Sequence, residues 1–467
     1  MVRRLIFVLA ALALVLAACG PAPTPEIIER TVEVPVEQTV EVPVEQTVEV
    51  PVEQTVEVPV TVEVPKDKTV IALAYNVYFT RSFAEGWPSP FDAVKTAVEA
   101  KHPDIEVTMN VMPDTVGAIH DTMVTWLTAQ DGTVDILGID SPWVAEFGKA
   151  GWLMPLNDRL TPQMLEELSE DYLNAYSYEG NYLAVPIWGS IGGFYYRKDL
   201  LDEYGFDPPE TYDDVTEIAQ TIVADNPDMV GFVWQGMKDE ALVCNFSEFF
   251  LGFGGQYFDD DGNCTMNSPE GVAALEYMAN LIDTGVSPQE VTNWKEAECE
   301  DQFASGRALF SRTWSSTAHW LDDAERSQVG GKWGLISNPA QPEGSHANVT
   351  GGWAFGINPN TDSPEEAWKV LEVIGSFEVQ KAIAMAWGPL QPHKGLATDP
   401  EVIAGNPELT LVAELFEAAA PRVAAPGANY FQGSDIVQDE VHAAITGIKS
   451  AQAALDDACS RLDALQQ

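Results

Sequence analysis

The chain has 467 residues, 72 acidic against 24 basic, for a formal charge of −48. That length accommodates about two or three units of ~150 residues, and a hydrophobic share of 46% supplies material for sizeable cores. The acidic excess argues against a nucleic-acid partner, because phosphate binding requires Lys and Arg at the contact. It argues equally against docking on anionic lipid and favours a neutral or cationic ligand.

The chain opens with basic Arg3 and Arg4, then an apolar run over residues 5–18 that ends in Leu16-Ala17-Ala18-Cys19-Gly20. The run is too short for a comfortable transmembrane helix and has the flanks of a secretory signal. Its ending resembles the bacterial lipobox, which implies a signal over residues 1–18 and Cys19 as the lipidated N-terminus. No later stretch is long and apolar enough to span a bilayer, so a lipid-anchored, otherwise soluble protein outside the cytoplasm is expected.

Residues 19–66 read as a stalk. Thr-Val-Glu-Val-Pro-Val-Glu-Gln repeats at 31–38, 39–46 and 47–54, and residues 20–65 hold ten Glu and one Arg. A Pro in each repeat blocks a continuous strand ladder, and like-charge repulsion stretches the chain. An extended, semi-rigid spacer follows, with a reach on the order of 100 Å at ~3 Å per residue.

The body then alternates. Residues 69–75 form a buried-type strand, and 91–100 a helix with Val94, Ala97 and Val98 at helical spacing. A strand at 105–109, a helix carrying Met123, Val124 and Leu127, and a strand at 134–139 follow. This order predicts an α/β fold with mostly parallel sheets.

Asp259, Asp261, Asn263 and Glu270 fall at calcium-loop positions, but Cys264 occupies the position that requires Gly. Asp261-Gly262-Asn263 reads instead as a hairpin turn, with Ser268-Pro269-Glu270 starting the next helix. Cys244, Cys264, Cys299 and Cys459 lack zinc-ligand spacing. Outside the cytoplasm they suggest disulfides, with three pairings open.

Nucleophile-elbow, metalloprotease, Walker and Rossmann patterns are absent, so no catalysis, cofactor or metal is expected. The carboxylates are too numerous to define a glycosidase pair by sequence. Thirteen Trp are present, and Trp143, Trp188, Trp314, Trp353 and Trp387 sit beside turn residues. Flat rings stack on the C–H faces of sugars while carboxylates and amides meet the hydroxyls, a pairing suited to a neutral polyol.

Five segments in order carry a family resemblance: 134–143 running on to 156; 180–188 with 194–200; 208–214; 303–310 with Trp314; and Gly351-Gly352-Trp353 with 363–368. Pro421-Arg422 and 450–455 also fit. Over about residues 67–465 the chain resembles the carbohydrate-binding lipoproteins of bacterial ABC importers, of the maltose/trehalose type.

The resemblance implies a periplasmic-binding-protein-like fold of type II, with two α/β lobes, an interlobe cleft and a hinge. Lobe one would take 67–187 plus 330–380, and lobe two 188–329 plus 381–467. It further implies a monomer that binds a neutral di- or oligosaccharide and delivers it to the transmembrane subunits of a permease. Position by position, Asp140 accepts from hydroxyls, Asn76 follows the first strand, and Trp188, Trp314 and Trp353 are stacking platforms. Gly352 admits backbone to the ring, and Arg422 and Tyr430 close the site. Ser190 stands where the family often has an acid, and a neutral hydroxyl bonds more weakly. A polyamine receptor of the same fold and a secreted glycosidase are the rival readings.

Overall fold

The alternation along the first part of the body becomes a parallel sheet edge. Thr69–Tyr75 forms β1, Ile105–Val111 β2 and Ile136–Asp140 β3, with β1 parallel to both. Helices Pro90–Lys101 (α1) and Val116–Thr128 (α2) make the crossovers. Each starts where the sequence stops its backbone donors going unpaired: Ser89 accepts from Asp92 N–H ahead of Pro90, and Thr115 accepts from Ala118 N–H. This computed structural model describes residues 68–84, 86–388, 390–422 and 427–465. The expected signal, Cys19 and the repeat stalk lie outside the described residues.

Ser177–Tyr178 (β4) and Asn181–Tyr182 (β5) form a small hairpin, and Val185–Arg197 is the long strand β6. The second half of the chain adds β7 (Val230–Val233), β8 (Ala308–Trp314), β9 (Trp333–Ile336), β10 (Asn348–Ile357) and β11 (Ala419–Ala420). Among the described residues the main sheet runs β2-β1-β3-β10-β6-β8-β7, with β11 on β10 and β9 on β6. The sheet is mixed rather than mostly parallel. β10 is antiparallel to β3 and β6, and β6 is antiparallel to β8 and β9. The reason is that β6 and β10 are the two long strands by which the chain leaves the first half of the body and returns to it.

Side chains gather on either side of these strands. One core holds Leu73, Val107, Met123, Ile136, Val185, Phe355, Ile383 and Trp387. Another holds Phe194, Phe232, Phe246, Met278, Phe310, Val437 and Leu455, extended by Ile191, Tyr195, Phe303, Leu321 and Leu335. Each fully buried side chain of this size contributes about 1.5–3 kcal/mol, so each half sustains its own core. The body is therefore a two-lobed α/β protein of the type II binding-protein fold. The second core is built from helices Glu240–Gly252 (α3), Pro269–Asp283 (α4) and Glu296–Ala304 (α5), while Phe377–Trp387 (α6) packs into the first. Tyr430–Ile445 (α7) and Ala451–Leu465 (α8) complete the second.

Cys264 and Cys459 are disulfide-bonded, tying the turn before α4 to α8 across 195 residues, while Cys244 and Cys299 are buried free thiols. The hairpin forms as its residues direct. Phe258 bridges Cys264, Gly262 takes a left-handed φ of 83°, and Asp259 accepts from Asp261 N–H and Asn263 N–H. Ser268 then caps α4, with Pro269 in its first turn. With Asp259 turned onto its own loop, no group of three or more acidic, His or Cys side chains among the described residues could hold a metal.

Candidate functional site between the lobes

Asp140 is the last residue of β3, where a parallel strand delivers its side chain to the edge facing the other lobe. Arg422, just past β11, donates from Nη2 to Asp140 Oδ1 at 2.7 Å and from Nη1 to Oδ2 at 3.2 Å. Nη1 also donates to Glu240 Oε1 at 3.2 Å. Glu240 opens α3 and accepts from the hydroxyls of Tyr430 and Ser434 on α7. The side chains of Arg422, Asp140 and Glu240 are all about nine-tenths or more buried. Burial raises the Glu240 carboxyl, and the Asp140 charge adds to it, against the opposing pull of Arg422. Burial also works against the Arg422 charge, but Asp140 and the other groups around it outweigh that and hold the guanidinium firmly protonated.

A second group lies along β6 and β10. Trp188 donates from Nε1 to the Tyr75 hydroxyl at 3.1 Å and meets Trp387 edge-on. In the register, Trp353 lies opposite Trp188 on one side and Asp140 on the other. Trp353 is only 7% exposed and packs edge-on against Tyr75 and Trp143, so it forms the floor of this region rather than an open face. A Cβ on Gly352 would come within 2.9 Å of the Trp188 carbonyl, which is why the backbone passes so closely there. Ser190 Oγ lies 3.2 Å from Ser315 Oγ. The neighbouring Trp314, half-buried, has Arg312 over its ring and donates to Glu296.

The structure thus joins Asp140, Arg422 and Tyr430 in one ionic cluster, and Trp188, Ser190, Gly352 and Trp353 along the crossing strands, with Trp314 at the end of β8 opposite Gly192 of β6. Asn76 takes a different part: its side chain accepts from Tyr78 N–H and caps the short turn Val77–Thr80. Sequence reasoning missed Glu240, Tyr75 and Glu296. Glu240 gives a faint signal, an acid heading an apolar helix, but 72 acidic residues conceal it.

Other contacts also cross between the lobes. Lys295 pairs with Asp114, and Arg326 lies between the rings of Phe83 and Trp320. His120 stacks on Phe431 with ring centroids 3.5 Å apart. Asp239, which heads α3, receives the Gly117 N–H in the first turn of α2, and desolvation raises its carboxyl to about 6. Two lobes brought together through charges and rings can enclose a small solute and shield it from water.

The family model for bacterial extracellular solute-binding proteins matches residues 81–381. The chain belongs to this family. Solute-binding proteins of this kind work outside the cytoplasm, and the relatives found are likewise binding proteins by description. A "probable ABC transporter-binding protein" of Deinococcus radiodurans is 31% identical over 68% of this chain and 77% of its own length. The mannitol-binding protein of Pseudomonas aeruginosa is 24% identical over 69% of this chain and 72% of its own. Among solved structures, the maltose-bound MalE3 of T. maritima is 32% identical with a TM-score of 0.77, covering 85% of this chain and 100% of that one. An ABC transporter solute-binding protein of Agrobacterium radiobacter, in complex with ribitol, is 25% identical with a TM-score of 0.73, covering 85% and 99%.

Proposed function

We propose that this solute-binding protein is the lipid-anchored receptor of an ABC sugar importer. In this reading it captures a neutral di- or oligosaccharide between its lobes and delivers it to the transmembrane subunits of the permease. The observation that carries the reading is the interlobe site itself, in which the part-buried rings of Trp188 and Trp314 lie on neighbouring elements and Trp353, opposite Trp188, leads across to Asp140 and its partner Arg422. The likeness to a maltose-bound protein over the whole body supports it. Cys19 supplies the anchor and residues 20–66 the spacer that holds the receptor off the membrane as a monomer.

Within this reading the lobes divide by packing. β9, with Leu335 in the second lobe's core, goes with lobe two, and α6, through Ile383 and Trp387, goes with lobe one. The cut at 187/188 falls inside β6, which both lobes share.

A buried guanidinium at the centre of the site disfavours a polyamine. The acids a cationic ligand would need there, Asp140 and Glu240, already hold the Arg422 guanidinium, so such a ligand competes with a buried ion pair. Relatives described with mannitol and ribitol make sugar alcohols the second class to test.

Titration calorimetry with maltose, longer maltooligosaccharides, mannitol, ribitol, putrescine and spermidine separates the readings. Binding of a saccharide with no heat from either polyamine is expected. Binding confined to polyamines and abolished by salt overturns the sugar reading, and binding confined to the alditols narrows the site to linear polyols. Labelling of the wild type with a radioactive fatty acid, lost in Cys19→Ala, is the expected result for the anchor.

A further inference from the structure

Helix α5 directs charged side chains toward the cleft from its first two turns. Lys295, preceding it, reaches Asp114 of the other lobe. Glu296 Oε1 accepts from the Trp314 indole at 3.4 Å. Glu300, one turn further along the same face, accepts from Thr317 at 2.7 Å and from Thr313 at 3.3 Å. Thr313 and Thr317 flank Trp314, one at the end of β8 and one in the short turn Ser315–His319 that follows. Two carboxylates on one helix therefore grip the corner that presents Trp314, one holding the ring and one holding the threonine hydroxyls on either side of it.

We propose that Glu300 is a positioning residue for Trp314: ionised, it holds Thr313 and Thr317 and fixes the corner from which the indole faces the ligand, and proton uptake loosens that hold and weakens binding. The proposal rests on Trp314 being part of the ligand site. An ionised carboxylate is acceptor-only and takes both hydroxyl hydrogens, and such charge-assisted bonds are the stronger kind. Both threonine hydroxyls donate to Oε1; with a proton on the other oxygen Oε1 still accepts both, but the two bonds lose their charge assistance and the hold weakens. The proton comes from solvent and returns to it, with no other bond changed.

The surroundings place the switch in a useful range. Burial raises the Glu300 carboxyl to about 7; Glu296 on its own helix adds to this, while the Thr317 and Thr313 hydroxyls and Arg326 oppose it. Tyr78 from the first lobe and Tyr195 on β6 also face it, as does the buried Cys299 thiol beside it on α5. No basic group is hydrogen-bonded to Glu300 among the described contacts; Arg326 acts on it only through space. Glu300 is thus an acid whose firm partners are two hydroxyls, both belonging to the segment it positions.

The test uses the full chain labelled with 5-fluorotryptophan, the Trp314 resonance being assigned by its loss in Trp314→Phe. Without ligand, that resonance is expected to titrate with a midpoint near 7 and to stay fixed over the same range in Glu300→Gln. Thr317→Val removes a hydroxyl that favours the charged form and is expected to raise the midpoint. A Trp314 resonance that does not titrate, or that titrates unchanged in Glu300→Gln, overturns the proposal.

Calorimetry with maltose as the probe then reads the functional half. Affinity is expected to fall about threefold or more towards acid in the wild type and to lose that dependence in Glu300→Gln. An acid dependence retained in Glu300→Gln overturns the link to binding. If the resonance titrates as stated while Trp314→Phe binds maltose unchanged, the positioning stands and the place of Trp314 in the ligand site falls.

Discussion

Arg422 and Asp140 form a two-pronged ion pair, with N–O distances of 2.7 and 3.2 Å, between a segment beyond β11 and the end of β3. Glu240 shares the same guanidinium at 3.2 Å. One cation is thus shared by two buried acids. Removing it in Arg422→Leu leaves both carboxylates unpaired, and a loss of about 3–5 kcal/mol is expected in chemical denaturation. Glu240→Gln keeps the Asp140 pair and relieves the acid crowding, so its loss is expected to be much smaller. Arg422→Lys falls between the two, because a single ammonium cannot reproduce the fork. Equal losses in all three variants contradict this account.

The tryptophans separate into two kinds. Trp353 is enclosed by Tyr75 and Trp143, and Trp353→Ala is expected to lose about 3–5 kcal/mol of stability through the cavity it leaves. Trp188 and Trp314 are only partly buried, and their alanine variants are expected to lose ligand affinity with much smaller changes in thermal midpoint. Melting curves alongside maltose calorimetry check both. A Trp353→Ala protein as stable as the wild type places that ring outside the core.

Stability is expected to fall as the medium turns alkaline through neutrality. Glu300 and Asp239 are carboxyls held above their ordinary values, at about 7 and about 6. The folded protein therefore binds their protons more tightly than the unfolded chain. Their contribution is complete at pH values below the unfolded carboxyl range and is lost as pH rises through about 6 and then about 7. Glu300→Gln removes one such loss. Its thermal midpoint is expected to exceed that of the wild type at alkaline pH, by an amount equivalent to about 3 kcal/mol, and to match it in acid. A constant offset at every pH rules this out.

The Cys264–Cys459 bond closes a loop spanning 195 residues. Constraint of the unfolded chain by so long a loop is worth about 5 kcal/mol. The double variant Cys264→Ser, Cys459→Ser is expected to lose stability on that scale, chiefly in the second lobe, where the turn before α4 and α8 carry the bond. Hydrogen exchange by peptide locates the change, and protection lost equally in β1 and β3 refutes the localisation.

The local grammar of the first lobe was legible in advance. β1, α1, β2, α2 and β3 all lie where apolar runs and caps place them, because each is decided by neighbours within a few residues. The ordered segments from 134 to 368 were enough to anticipate two lobes and a family. What the sequence did not show depends on long-range pairing. Neither the partner of Cys264 nor the antiparallel setting of β6 and β10 leaves a local mark. Trp353 and Trp188 look alike in sequence, yet one lines a core and the other donates to Tyr75. Glu240 became visible only when Arg422, 182 residues later in the chain, was placed against it.

The crossing strands β6 and β10 pair Trp188 with Trp353 directly, and the register between them shifts immediately beyond, at Trp353 and Ala354. In the proposed receptor, the peptide units that an opening of the lobes would bend are the same units that floor the proposed binding region. Flexure and recognition share one stretch of backbone. A ligand resting on Trp188 presses on the joint itself, with no intervening lever, and a substitution meant to loosen the joint cannot leave the pocket unchanged.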